Sequence, residues 1–163
     1  MSIKKILLLG NPQLYKVSEE VHREELDNIK RIVQDLHDTM MEFRRKYGVG
    51  RAIAAPQIGE MKRVIYMNIE NPEVFINPKM IFEDDDTIEL WDDCMSFPQL
   101  IVKVKRYKKA RIEYRDLEWN KKAMELEGDL AELLQHEYDH LDGILAVARA
   151  INDKSFAIKN HEE

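Results

Sequence analysis

The sequence near the end of the chain reads Gln135-His136-Glu137-Tyr138-Asp139-His140-Leu141-Asp142-Gly143. Leucines recur at helical spacing through this region, which predicts a helix over Asp129–Leu141. Residues four apart on a helix lie on one face, so the imidazoles of His136 and His140 can reach one metal ion at about 2.0–2.1 Å. Glu137 stands beside the first histidine and can act as a base toward a water molecule on that metal.

The third metal ligand is expected to lie upstream of this helix. One pattern built on two such histidines places a third His after a Gly, but here Gly143 is followed by Ala146 at the required position. A second pattern takes a Glu from a helix well downstream, and the only glutamates after His140 are Glu162 and Glu163 at the end of the chain.

Cys94 is the best upstream candidate for the third ligand. It is the only cysteine of the chain, and a thiolate binds divalent metals well. A lone cysteine is more often packed as a small apolar residue, but beside a two-histidine helix that lacks another ligand we favour metal binding. His22 and His37 are weaker rivals, in a polar segment and on a predicted core helix.

A third segment, residues 48–59, reads Gly-Val-Gly-Arg-Ala-Ile-Ala-Ala-Pro-Gln-Ile-Gly. Its small residues allow the backbone to approach another backbone or a ligand closely. Gln57 could donate its amide hydrogens to an oxygen that develops negative charge. Alone, the segment could equally be a tight structural crossover.

The remaining pattern predicts an α+β fold. Apolar residues at three- and four-residue steps predict a long helix over residues 25–47, which Gly48 ends. Six segments are predicted strands, the last two of them forming a hairpin: 63–68, 74–76, 87–91, 100–104, 110–115 and 122–127. We expect mainly antiparallel sheets wrapped around the central helix that carries the two histidines, with the N-terminal helix packed outside.

Length and composition limit the class of protein. The 163 residues suit a single domain over 1–163, with about 151–163 as a loosely ordered tail. A net charge of −6 gives no reason to expect direct nucleic-acid binding. No segment is apolar enough to cross a membrane, and the first apolar run is too short for a signal peptide. A lone cysteine excludes an internal disulfide framework, so we expect a cytoplasmic protein.

Taken in order, three segments resemble the peptide deformylases. That family shows a Gly-rich segment ending in Gln, then Glu-Gly-Cys-Leu-Ser, then Gln-His-Glu-x-Asp-His-Leu-x-Gly. The chain carries Gln57 after its Gly-rich segment, Asp92-Asp93-Cys94-Met95-Ser96, and a complete match at 135–143. Pro12-Gln13-Leu14 and Ile76-Asn77-Pro78 extend the likeness over nearly the whole chain.

The resemblance implies a reaction and a set of roles. The substrates would be formyl-methionyl peptides, which the enzyme would bind near the ribosome exit. They would be hydrolysed to formate and a free amine, with Glu137 as the base. One divalent metal would bind, iron(II) in the cell, with zinc, nickel or cobalt able to replace it. Its ligands would be Cys94, His136 and His140, and Gln57 and the backbone N–H of Met95 would stabilise the oxyanion. The methionine pocket would be formed by Ile53, Ala54, Phe97, Leu133 and His136, and Gly50 would also bind the substrate.

Departures from the family pattern cluster on the substrate side. Gly50 and Gln57 lie two residues further apart than is usual in the family, and Asp93 replaces a glycine directly before the cysteine. Asp92 replaces a glutamate and is expected to pair with Arg106. Two alternatives therefore stay open: a related amide or formamide hydrolase with another substrate, and a catalytically silent metal-binding paralogue.

Overall fold

The computed structural model describes residues 2–159 and contains two antiparallel sheets and two α-helices. Helix α1 spans Leu26–Tyr47 and helix α2 spans Asp129–Leu141. The strands are β1 (Ala52–Ala54), β2 (Val64–Asn68), β3 (Pro72–Ile81), β4 (Thr87–Asp92), β5 (Leu100–Tyr107), β6 (Lys109–Arg115), β7 (Lys121–Glu127) and β8 (Phe156–Ile158). One sheet has the order β1-β2-β3-β6-β7 and the other β4-β5-β8. The predicted α+β class, with antiparallel sheets and a long N-terminal helix, is confirmed.

Helix α1 forms because its apolar residues repeat at helical spacing along one side. Ile29, Ile32, Leu36 and Met40 are fully buried and pack against residues of β1 and β2. The helix ends at Gly48, which adopts a left-handed φ of 74° and donates its N–H to the carbonyl of Arg44. Within residues 2–159, neither helix is long and apolar enough to cross a membrane.

Helix α2 contacts strands of both sheets, namely β1, β2, β3 and β7 of the larger sheet and β5 of the smaller one. Ala131, Leu134 and Leu141 are fully buried on its packed side. Gln135, His136, Glu137, Asp139 and His140 are buried as well. The packing of α2 against both sheets therefore buries most side chains of residues 135–140, including both histidines.

The chain leaves α2 at Gly143 in a left-handed conformation, with φ of 74°. A Cβ atom there would lie 2.5 Å from the carbonyl oxygen of Tyr15, which ends the short 3-10 turn Pro12–Tyr15. Only glycine fits both the backbone conformation and this close approach. The N-terminal segment is thus held directly against the C-terminal end of α2.

The sequence analysis did not predict two short strands, β1 and β8. Strand β1 pairs with β2, placing Ile53 opposite Tyr66. Strand β8 lies in the segment predicted to be a loosely ordered tail, but it pairs with β5 through Leu100 and Ile158. The structure therefore differs from the prediction over 156–158, while the end of that predicted tail lies outside the described residues.

Candidate active site

Three side chains from two separate segments converge at the end of β4. The potential ligand atoms of Cys94, His136 and His140 all lie within 4.8 Å of one another, and all three residues are buried. The Sγ of Cys94 is 3.4 Å from the Nε2 of His140. A tetrahedral ion with one sulfur ligand and two nitrogen ligands needs ligand–ligand distances of about 3.4–3.6 Å. The donor set therefore fits a divalent metal.

The number of ligands is informative about the kind of metal site. Within residues 2–159 the group consists of one thiol and two imidazoles. Structural zinc sites usually have four protein ligands, whereas catalytic sites have three and leave one position to water or substrate. Three potential ligands match the number found in catalytic sites.

A buried carboxylate orients the first histidine. Oδ2 of Asp92 lies 3.0 Å from Nδ1 of His136, so a proton on Nδ1 is directed to the carboxylate and Nε2 is free to bind a metal. Arg106 donates to the same Oδ2 at 2.8 Å, which confirms the predicted pairing of Asp92 with Arg106. Burial raises the pKa of Asp92, but His136 and Arg106 outweigh it and lower that pKa to about 2. Asp92 is therefore ionised at neutral pH.

The charges around the two histidines differ. Burial lowers the pKa of His136, but Asp92 and Cys94 raise it well above its usual value. Burial and the neighbouring His136 hold the pKa of His140 well below its usual value. The negative charge that favours a proton on His136 equally favours a divalent cation, and His140 is already in the neutral form that binds metals.

Further ion pairs surround the helix that carries the two histidines. Arg106 is almost fully buried and also donates to Asp139 of the motif at 2.8 Å. Arg149 donates to the two oxygens of the Asp139 carboxylate at 2.6 Å and 2.9 Å. These contacts connect β4, β5, α2 and the segment after α2, so the ligands are held by several elements at once.

Glu137 carries a buried carboxyl group with an unpaired oxygen. Its Oε1 makes no hydrogen bond with the residues that the structure describes, and the side chain lines a cavity. Burial raises the pKa of Glu137 to about 7. A buried, unpaired carboxyl is costly for folding and is typical of a functional group. A group with such a pKa can accept and release a proton near neutral pH.

Gln57 reaches the thiol ligand from the segment after β1. Its Oε1 accepts the N–H of Ala54 at 3.0 Å, which fixes the orientation of the amide. Its Nε2 donates to the Oγ of Ser96 at 3.1 Å and lies 3.5 Å from the Sγ of Cys94. Among the described residues, no backbone carbonyl accepts the N–H of Met95. The Nε2 of Gln57 is thus fixed beside Cys94, and the N–H of Met95 has no backbone acceptor among the described residues.

Cys94 and His136 open onto a cavity of about 760 Å³. Of the residues predicted to contact the substrate, Gly50, Leu133 and His136 line it, and so does Asp93, which the sequence placed on the substrate side. Sequence analysis missed several others, namely Phe43, Tyr47, Val49, Arg51, Ile69, Glu132 and Lys159. The aromatic residues at the end of α1 continue its apolar stripe, and this pattern alone does not distinguish a cavity wall from the core.

Ile53, Ala54 and Phe97 do not line this cavity, contrary to the prediction. Ile53 and Ala54 are fully buried in strand β1, whose successive side chains face opposite sides. Ile53 packs toward α1 and Ala54 toward α2. Phe97 is buried in a third cluster with Val102. The rival ligand His37 lies elsewhere, with its Nδ1 2.6 Å from the hydroxyl of Tyr66.

Several known proteins match nearly the whole length of this chain. Residues 3–156 match the family model described as polypeptide deformylase. A peptide deformylase from Dictyoglomus turgidum is 35% identical over 158 residues, covering 96% of this chain and 97% of that protein. Peptide deformylase 2 of Clostridium perfringens is 37% identical, covering 92% of this chain and 94% of that protein.

Solved structures of peptide deformylases also resemble this chain over most of its length. The crystal structure of peptide deformylase from Thermotoga maritima has a TM-score of 0.84 and 30% identity, covering 93% of this chain and all (100%) of that one. A Plasmodium falciparum peptide deformylase in complex with an inhibitor has a TM-score of 0.81 and 34% identity, covering 91% of this chain and 90% of that one.

Proposed function

The chain belongs to the polypeptide deformylase family, and we infer that it is a metal-dependent hydrolase that removes the N-formyl group from the N-terminal methionine of nascent peptides. The observation that carries this conclusion is the convergence of Cys94, His136 and His140 within 4.8 Å, beside the buried Glu137. The reaction adds water to the formyl carbon and breaks its bond to nitrogen. The products are formate and a free amine.

Cys94, His136 and His140 would hold one divalent metal, iron(II) in the cell, with zinc, nickel or cobalt able to replace it. When bound, such a metal acts as a Lewis acid toward water and the formyl carbonyl. The chain contributes the orientation of the ligands. Asp92 holds Nδ1 of His136, and the packing of α2 against both sheets fixes the two histidines on one helical face. We therefore regard α2 as the central element of the fold.

Glu137 acts as the base. It takes a proton from the attacking water and delivers it to the departing amine, so one carboxyl serves both proton transfers. Its Oε1, to which none of the residues 2–159 donates a hydrogen bond, and its pKa of about 7 suit both roles. A carboxyl already bound to protein donors would have to break those contacts before accepting a proton.

Gln57 and Met95 stabilise the negative charge on the former carbonyl oxygen. The amide of Gln57 is held in place by Ala54 and presents its Nε2 near Cys94. The N–H of Met95 follows the thiol ligand directly in the chain. Donors fixed before the reaction can stabilise developing charge without further reorganisation.

The cavity beside these groups is the proposed binding site for the formyl-methionyl peptide. Gly50 and Leu133 line it together with the apolar side chains of Tyr47 and Ile69, which suit a methionine side chain. We propose that the enzyme acts in the cytoplasm on peptides as they leave the ribosome, because these peptides are made there.

A different formamide or amide substrate is the second candidate. Asp93 lines the cavity, and its Oδ2 binds the Nζ of Lys159 at 2.9 Å, which changes the charge and shape of the rim. A catalytically silent metal-binding protein is less well supported, because such a protein would need the ligands but not the adjacent base.

Formate release tests the proposal directly. The protein, loaded with iron(II) or nickel(II) without oxygen, is given formyl-Met-Ala-Ser and, in parallel, acetyl-Met-Ala-Ser and formylated amines that lack methionine. We expect rapid release of formate from the first peptide alone. Faster hydrolysis of a small formamide would favour the second candidate, and no hydrolysis by fully metal-loaded protein would support the silent one.

A further inference from the structure

Arg51 occupies an unusual position in the active-site cavity. It lies between Gly50 and Gln57, a segment two residues longer than is usual in the family, and its exposed side chain lines the same cavity as Glu137 and Cys94. Its guanidinium makes no hydrogen bond or ion pair with any residue in the described range 2–159. A cationic group with free donors therefore faces the space that the peptide enters.

The backbone of Arg51 is held firmly on both sides. Arg44 donates its Nε and Nη2 to the carbonyl of Gly50 at 2.9 Å and 2.7 Å. Asn68 donates its N–H to the carbonyl of Arg51 itself at 2.9 Å, and β1 begins at the next residue. A side chain on an anchored backbone can recognise a ligand at a lower entropic cost than one on a mobile loop.

The other basic groups of the cavity already have partners. Arg44 is bound to backbone carbonyls, and Lys159 is paired with Asp93. The carboxyl groups of Glu132 and Glu137 line the same cavity as Arg51. Arg51 is therefore the one arginine or lysine of this cavity that has no side-chain partner among the described residues.

We propose that Arg51 is a specificity-determining residue, which favours formyl-methionyl peptides with an acidic side chain at one of the two residues after the methionine. This inference rests on the proposed deformylase function. The carboxylate of such a residue would form a charge-assisted hydrogen bond with the planar guanidinium, whose fork geometry matches a carboxylate. Peptides with a basic side chain there would be repelled.

The test compares matched amidated peptides, so that the side chain carries the only carboxylate. Formate release is measured from formyl-Met-Glu-Ala, formyl-Met-Gln-Ala, formyl-Met-Ala-Glu and formyl-Met-Ala-Gln at low ionic strength. We expect kcat/KM to be about fivefold higher for Glu than for Gln at one of the two positions. The difference should shrink as salt is added, because exposed charges are screened.

Variants of Arg51 identify the responsible residue. Arg51→Gln should abolish the preference for Glu over Gln, and Arg51→Glu should reverse it in favour of Gln. Arg45→Gln is the matched control, since Arg45 is exposed on α1, is paired with Glu42 and lies outside the cavity. That variant should keep the preference of the original protein.

Two outcomes would overturn this inference. One is an equal kcat/KM for Glu and Gln peptides, and the other is a preference that survives in Arg51→Gln. If no peptide releases formate, the deformylase function fails instead. Binding of Met-Glu-Ala amide and Met-Gln-Ala amide, measured by calorimetry, then still decides whether Arg51 selects acidic ligands.

Discussion

Nδ1 of His136 lies 3.0 Å from Oδ2 of Asp92, and that same oxygen accepts a hydrogen bond from Arg106 at 2.8 Å. A proposed metal ligand on α2 is thus tied to a carboxylate at the end of β4, and through it to a guanidinium on β5. Arg106 also donates a hydrogen bond to Asp139 on α2. The geometry of the metal site therefore depends on contacts that lie outside the three ligands.

Replacing Asp92 by Asn should weaken metal binding. The substitution removes the charge that orients His136 and favours its metal-binding form. Loss of such a partner typically lowers metal affinity by about 10- to 100-fold. The affinity for zinc can be measured by competition with a chromophoric chelator.

Asp93→Asn is the control for this prediction. Asp93 is the next residue in the chain, but it is exposed and pairs with Lys159 rather than with a metal ligand. Its substitution should leave zinc affinity unchanged. Equal losses in the two variants would show that general negative charge, and not the contact with His136, sustains the affinity.

Replacing Arg106 by Met should destabilise the fold. Arg106 is 3% exposed and neutralises two buried carboxylates, Asp92 and Asp139. Removing one partner from a buried ionic network leaves uncompensated charge and typically costs about 3–5 kcal/mol. Urea unfolding measures this loss. Arg45→Met, at an exposed ion pair on α1, should change stability little.

Replacing Gly143 by Ala should be more destabilising than replacing Gly48 by Ala. Both glycines have a φ of 74°, so alanine is strained at each by about 1–2 kcal/mol. The added Cβ meets nothing within 4 Å at Gly48 but lies 2.5 Å from the carbonyl oxygen of Tyr15 at Gly143. The difference in unfolding free energy between the variants isolates this clash, and equal losses would contradict the close packing.

Zinc should raise the unfolding temperature of the protein but not that of Cys94→Ala. A ligand present at a hundred times its dissociation constant stabilises the native state by about 2.7 kcal/mol. For a protein of this size, that corresponds to a shift of about 5–10 °C. A shift of similar size in Cys94→Ala would show that zinc binds mainly outside the proposed site.

Much of the metal site can be predicted from sequence because its main signal is local. Two histidines four residues apart on an apolar helix must share a face, whatever the rest of the fold does. Cys94 then follows by elimination of other ligands. The resemblance of three segments to the deformylases is confirmed by matches over nearly the whole chain.

The walls of the cavity could not be predicted in the same way. Lys159 reaches the cavity only because β8 pairs with β5, a contact between residues far apart in the sequence. Ile53 and Ala54 do not line the cavity, because residues 52–54 form a strand, β1, that is buried on both faces. Neither arrangement has a local signal, since both depend on long-range strand pairing.

The most direct test is formate release from formyl-Met-Ala-Ser by the metal-loaded protein and by Glu137→Ala, with the metal content of both measured. We predict rapid release by the original protein and a loss of several orders of magnitude in the variant, although both carry equal metal. Equal release by the two proteins, or none by the metal-loaded original, would contradict the assignment of Glu137 as the base of a deformylase.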